Sequence, residues 1–144
     1  MNVSRETPDE ILIQINNSDP SNIDVCKVNL NTLKMDLVIN DEDFLQIVAD
    51  NINNIRLAMR TSPEGGQIVY KYKKGSWEEY FRVPQEDMLS FGFNRNNENP
   101  YMIDGRNRDK AALYALIMTT DEKKVIAENE NSDIADLLVH LHQL

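Results

Sequence analysis

The feature that most constrains this chain is an alternation near its start. From Glu10 to Asn16, Ile11, Ile13 and Ile15 fall on one side and Leu12 and Gln14 on the other, the period of a half-buried strand. Asn17 to Asn22, with Ser18, Asp19, Pro20 and Ser21, is a dense turn signal. Two further strands follow, Asp24 to Leu30 and Leu33 to Ile39. A tight turn at Asn31-Thr32 sets Leu30 opposite Leu33, Val28 opposite Met35 and Cys26 opposite Leu37, while Lys27 meets Asp36 on the other face. A one-residue slip would destroy every one of these matches, so a three-stranded meander is predicted.

Asn40 followed by Asp41, Glu42 and Asp43 resembles a helix cap with carboxylates at the positive end of the dipole. Phe44, Ile47, Val48, Ile52, Ile55, Ala58 and Met59 then share one arc at about 100° per residue, until Ser62, Pro63 and Gly65-Gly66. The spacing predicts a long central helix. Asn51 interrupts its apolar arc and Leu57 its polar arc, which predicts a buried, hydrogen-bonded amide and an exposed leucine.

Gln67 to Lys73 and Ser76 to Val83 read as a hairpin around Lys74-Gly75, pairing Tyr72 with Trp77, Ile68 with Phe81 and Lys71 with Glu78. Pro84 to Asp87 resembles a short helix start. Gly92 to Arg108 is polar and reads as an unusually long connection. Ala111 to Met118 reads as helix, with a hairpin of Tyr114 to Thr120 and Val125 to Asn129 as the alternative. From Ser132, the residues Ile134, Leu137, Leu138 and Leu141 share a face, which predicts a C-terminal amphipathic helix. The expected fold is therefore a single α+β domain of 144 residues. In it an antiparallel sheet packs on the central and C-terminal helices.

Charge bounds the function. The chain holds 24 acidic and 15 basic side chains, a net of −9, which disfavours general nucleic-acid binding and docking on anionic membranes. The nets over residues 1–50, 51–110 and 111–144 are −7, +2 and −4. With no basic-then-apolar leader pattern and no lipidation signal, the cytoplasm is the expected compartment.

Catalytic signals are sparse. His140 and His142 are two apart, which on a helix separates their directions too far to share a metal ion. Cys26 is the one cysteine and sits in an apolar row, where burial raises its pKa. The five glycines form neither a phosphate loop nor a nucleophile elbow. Asp41, Glu42 and Asp43 lack the alternating ligands of a calcium loop, and Glu78 and Glu79 point to opposite faces of a strand. No metal and no cofactor is expected, and no motif assigns the chain to a family.

Three functions remain. The first is a small binding protein that acts by stoichiometric contact, as an inhibitor, immunity factor or adaptor does. It would engage a basic protein partner through Asp41, Glu42, Asp43, Asp133 and Asp136. The second is an enzyme or small-anion binder at the Gly92-Lys110 loop, with Arg95, Arg106 or Arg108 on the anion and Tyr101 or Asp104 as acid or base. The third is a structural subunit that pairs through a sheet, for example as a homodimer.

Overall fold

Within residues 2–4, 6–16, 23–41, 44–84 and 90–137, which the computed structural model describes, every regular element is a strand. The expected α+β architecture is thereby overturned: the described residues are all-β, in three antiparallel sheets of four strands each. It divides into two compact units, Met1–Gln85 and Glu86–Leu144.

The first sheet joins β1 (Asn2–Val3), β2 (Glu10–Ile15), β3 (Ile23–Asn29) and β4 (Met35–Asp41) in chain order. The predicted pairs Val28–Met35, Cys26–Leu37 and Lys27–Asp36 are all present. The turn is wider than expected, because the Asn29 carboxamide oxygen accepts the N–H groups of Asn31 and Thr32 and draws Leu30 to Leu33 into the bend. Leu33 takes a φ of 57° there.

The second sheet is β5 (Gln46–Ala49), β6 (Ile55–Thr61), β7 (Gln67–Lys73) and β8 (Ser76–Val83), again in chain order. It occupies the stretch whose periodicity predicts the central helix. The break is Asp50, whose carboxylate accepts the N–H groups of Ile52 and Asn54 and closes a turn between β5 and β6. Val48 then pairs with Leu57 and Ile47 with Ala58. Leu57, expected to be exposed, is fully buried at 0 %. Asn51, expected at the centre of a helical apolar face, lies in the turn.

In the β7–β8 hairpin the expected pairs Tyr72–Trp77 and Lys71–Glu78 are present, whereas Ile68 meets Arg82 instead of Phe81. A β-bulge at Val69/Tyr70 makes β8 one residue longer than its partner and shifts the register beyond it. Lys74 and Gly75 both have positive φ, 50° and 86°, which suits a two-residue hairpin turn. Since a Cβ on Gly75 would touch nothing within 4 Å, Gly75→Ala is expected to cost only the left-handed backbone penalty, about 1 kcal/mol. A urea titration followed by Trp77 fluorescence checks this.

The first two sheets face one another within the first unit. Leu12 and Val25 of one meet Phe44, Ile47 and Ala58, with Tyr70 and Trp77 at the margin. Phe44 packs edge-on to Trp77 at 4.8 Å and to Tyr70 at 5.6 Å. Gln14 ties the layers together: its Nε2 donates to the Ile47 carbonyl at 2.9 Å, and the Ile47 N–H donates to its Oε1 at 3.2 Å.

The third sheet forms the second unit: β9 (Ser90–Phe93), β10 (Pro100–Asp104), β11 (Ala112–Ile117) and β12 (Glu122–Ala127). The long polar connection is thus a hairpin turn, a strand and a second turn. Ala111 to Met118 follows the hairpin alternative and not the helix, with Ala112, Tyr114 and Leu116 buried in alternation. Residues 133–137 carry no helix, which overturns the C-terminal helix as far as the described residues reach. The helix start at Pro84 to Asp87 falls outside them beyond Pro84, as do His140 and His142.

Candidate functional site

The richest polar chemistry lies in the second unit, where β10 ends and turns into β11. Asp104 is wholly buried at 0 %. Its Oδ1 accepts the Arg106 backbone N–H at 3.0 Å and Arg106 Nε at 2.8 Å, and its Oδ2 accepts Arg106 Nη2 at 2.8 Å and Lys123 Nζ at 2.9 Å. Burial pushes this carboxyl up, but the hydrogen bonds from Arg106 and Lys123 and the Arg106 charge outweigh it and lower the group from 3.8 to about 2. Lys123 Nζ also stands 4.4 Å from the centre of the Tyr114 ring.

The network continues through the Tyr114 hydroxyl. Arg108 Nη1 donates to the Tyr114 hydroxyl at 2.7 Å and Nη2 to Glu128 at 2.7 Å, while Nε bonds the Lys110 carbonyl. The Glu128 and Tyr114 bonds raise the Arg108 pKa further above its ordinary value. A shallow cleft of about 290 Å³ opens here, lined by Arg108, Asp109, Lys110, Glu128, Asn129 and Glu130.

These contacts bear on the anion-binding expectation residue by residue. Asp104 and Arg106 are brought together, but as a closed bidentate pair. Arg108 is engaged by Glu128, so an incoming anion competes with a carboxylate already in place. Tyr101 alternates with Met102 and Asp104 along β10 and takes the opposite face from Asp104. Arg95 lies in the separate, exposed turn between β9 and β10. The Asp104 contacts tie the end of β10 to the turn that follows it and to Lys123 on β12.

The acidic residues expected to bind a partner are spread over the chain. Asp41 ends β4 in the first unit, and Glu42 and Asp43 fall outside the described residues. Asp133 and Asp136 belong to the second unit, where Asp133 accepts the Ala111 N–H at 2.7 Å and Asp136 that of Leu137 at 2.7 Å. Cys26 is buried, and burial followed by the nearby Asp24 charge raises its pKa, the direction expected of a structural thiol. Among the described residues no group of three His, Cys, Asp or Glu side chains is placed to hold a metal ion.

Sequence reasoning missed Asp50. It is 1 % exposed and binds Arg56 Nη1 at 3.0 Å and Asn54 Nδ2 at 3.2 Å through Oδ2, besides the two turn amides. The signal was present in Asp50, Asn51, Asn53 and Asn54, four turn-forming residues within five positions. The first unit also holds a pocket of about 200 Å³, lined by Leu12, Gln14, Val25, Gln46, Ile47 and Ile55 among others, with polar as well as apolar walls.

A four-stranded antiparallel meander is the repeating unit of a β-propeller, one sheet per blade, and the described residues form three such sheets in succession along the chain. The same fold is found in the crystal structure of TolB from Acinetobacter baumannii, which matches 84 % of this chain and 30 % of its own with a TM-score of 0.58. At 8 % identity the likeness is one of fold.

In sequence the chain is 28 % identical over 141 residues to dipeptidyl aminopeptidase BIII of Pseudoxanthomonas mexicana and 24 % identical over 143 residues to dipeptidyl peptidase family member 6 of Caenorhabditis elegans. The alignments cover 94 % and 90 % of this chain but only 20 % and 19 % of those proteins, so the chain spans about a fifth of their length. No family model matches it.

Proposed function

We propose that this chain forms blades of a β-propeller of the kind carried by dipeptidyl peptidases, and that it serves there as scaffold, with the peptide-cleaving chemistry supplied from outside its 144 residues. The observation that carries this reading is the run of three four-stranded meanders inside a stretch that aligns almost end to end with a fifth of a peptidase. The ion network of Asp104, Arg106 and Lys123 fits the same role. Its charges are spent on one another inside a hairpin, where a catalytic carboxyl would face a cleft with its pKa drawn towards neutrality.

A chimaera tests the reading. When this chain replaces the aligned segment of the Pseudoxanthomonas mexicana enzyme, the product is expected to fold and to keep releasing dipeptides, with the inserted segment resistant to limited proteolysis. The 144-residue chain alone is expected to release none. Turnover by the isolated chain, or an inserted segment that stays protease-sensitive in an otherwise folded chimaera, contradicts the proposal.

A further inference from the structure

β5 stands at the end of its sheet, with β6 as its neighbour. The edge that it turns away from β6 carries the N–H and C=O of Ile47, and one side chain of the first sheet takes both. Gln14 Nε2 donates to the Ile47 carbonyl at 2.9 Å, and the Ile47 N–H donates to Gln14 Oε1 at 3.2 Å. One residue of an added antiparallel strand would present the same donor and acceptor at that place. Gln14 itself is exposed on β2. Its carboxamide thus holds a strand's position without filling a strand's length.

The pocket of about 200 Å³ lies beside this pair. All four residues of β5 line it, Ile47 and Val48 alike, although their side chains point to opposite faces of the sheet. The space therefore follows the backbone edge and not one face. Leu12, Val25 and Ile55 supply aliphatic walls, and Gln14 and Gln46 supply amides. It is smaller than the roughly 300–1,000 Å³ that encloses a drug-sized ligand. None of the described residues that line it is charged, in a protein where charged residues make up 27 %. An ion meets no counter-charge there, whereas a peptide group meets both a donor and an acceptor. We propose that this edge of β5 is a docking site for an extended, uncharged peptide segment, which adds to the sheet in place of the Gln14 carboxamide.

A residue paired with Ile47 points its side chain to the same face as Ile47, the side on which Leu12 and Val25 pack. An aliphatic side chain at that position therefore enters the pocket, and its neighbours in the segment point away. The exchange of hydrogen bonds is balanced: two neutral bonds from Gln14 break, two of the same kind form to the peptide, and the freed carboxamide returns to water. Binding is driven by the aliphatic side chain leaving water and by further pairing along β5. Since β5 is four residues long and the carboxamide competes, the affinity is expected to be about millimolar. The proposal rests on this edge alone. A chain that binds no peptide would leave the propeller reading standing, because the chimaera judges that separately.

The probe is the blocked peptide acetyl-Ser-Val-Leu-Val-Ser-amide, titrated to about 5 mM into the isotope-labelled whole chain and followed by amide chemical shifts. Saturable shifts are expected at Ile47, at its neighbours on β5 and at the Gln14 side-chain amide. The same peptide methylated on the leucine nitrogen has no proton to donate to the Ile47 carbonyl, and is expected to bind about tenfold more weakly or worse. Gln14→Ala removes the competing carboxamide from an exposed position, and is expected to bind the unmethylated peptide about three- to tenfold more tightly. A native chain that shows no saturable shift on β5, equal binding of the methylated peptide, or a folded Gln14→Ala variant of unchanged affinity would overturn the proposal. The two peptides on the native chain decide the matter even where the variant fails to fold.

Discussion

Leu57→Ala is expected to lower the unfolding free energy by about 2–5 kcal/mol, the cost of a large-to-small change at a buried site. Leu57 is 0 % exposed on the central strand β6, between Val48 on one neighbour and Lys71 on the other. Were residues 44–62 the amphipathic helix that the apolar spacing suggests, Leu57 would project from the polar side and its truncation would change stability by no more than about 0.5 kcal/mol. Leu45→Ala provides the control. At 55 % exposure it is expected to fall within that smaller range. Urea unfolding of the two variants beside the native chain separates the outcomes.

The second large effect is at Asp104. Asp104→Asn keeps the shape of the side chain but leaves Arg106 and Lys123 around a neutral amide, and is expected to cost about 2–3 kcal/mol at pH 7. The pH dependence has a definite sign. The folded pKa of about 2 lies below the ordinary 3.8, so this group's stabilisation is complete above pH 3.8 and is lost as pH falls through 2. The native chain should therefore lose roughly 2 kcal/mol across that window that the Asn variant does not lose. Amide exchange on β10, β11 and β12, followed for both proteins at pH 7 and at acid pH, reports the difference. Equal acid sensitivity would mean that the carboxylate is not held by its cationic neighbours.

The N-terminal meander was legible because each strand carried its own check. The pairs Val28–Met35 and Lys27–Asp36 match in chemistry only at one register, and that register is the one found. The next segment misled for a physical reason. β5 and β6 bury residues on both faces, Ile47 and Ala58 on one and Leu57 and Met59 on the other, so the apolar residues lose strict alternation and fall by accident on a helical arc. Asp50 with Asn51, Asn53 and Asn54 marked the turn that divides them. Turn chemistry, and not periodicity, held the information.

A similar ambiguity affected Ala112 to Ile117, where alternation of Ala112, Tyr114 and Leu116 with Leu113, Ala115 and Ile117 leaves every position apolar. The Gly92-Lys110 stretch was misjudged in another way. Its amides and Gly105 build two hairpin turns, with Asn97 and Asn107 at φ of 58° and 59°, and Tyr101 to Ile103 between them is an interior strand. Charge could be counted from the sequence, but its partners could not. That Arg106 closes on Asp104 within the turn after β10, and Arg108 on Glu128 at the end of β12, is set by the folded chain and not by the composition.

The functional reading depends on the second sheet, because a helix over residues 44–62 would break the succession of blades. The most direct test is a nuclear Overhauser measurement on the labelled chain. Strong contacts between the backbones of Val48 and Leu57 and between those of Leu57 and Lys71 are the expected result, since both pairs face each other in the antiparallel register. Helical contacts between residues three and four apart through Ile47 to Met59, with the cross-strand signals missing, would contradict the three-blade account.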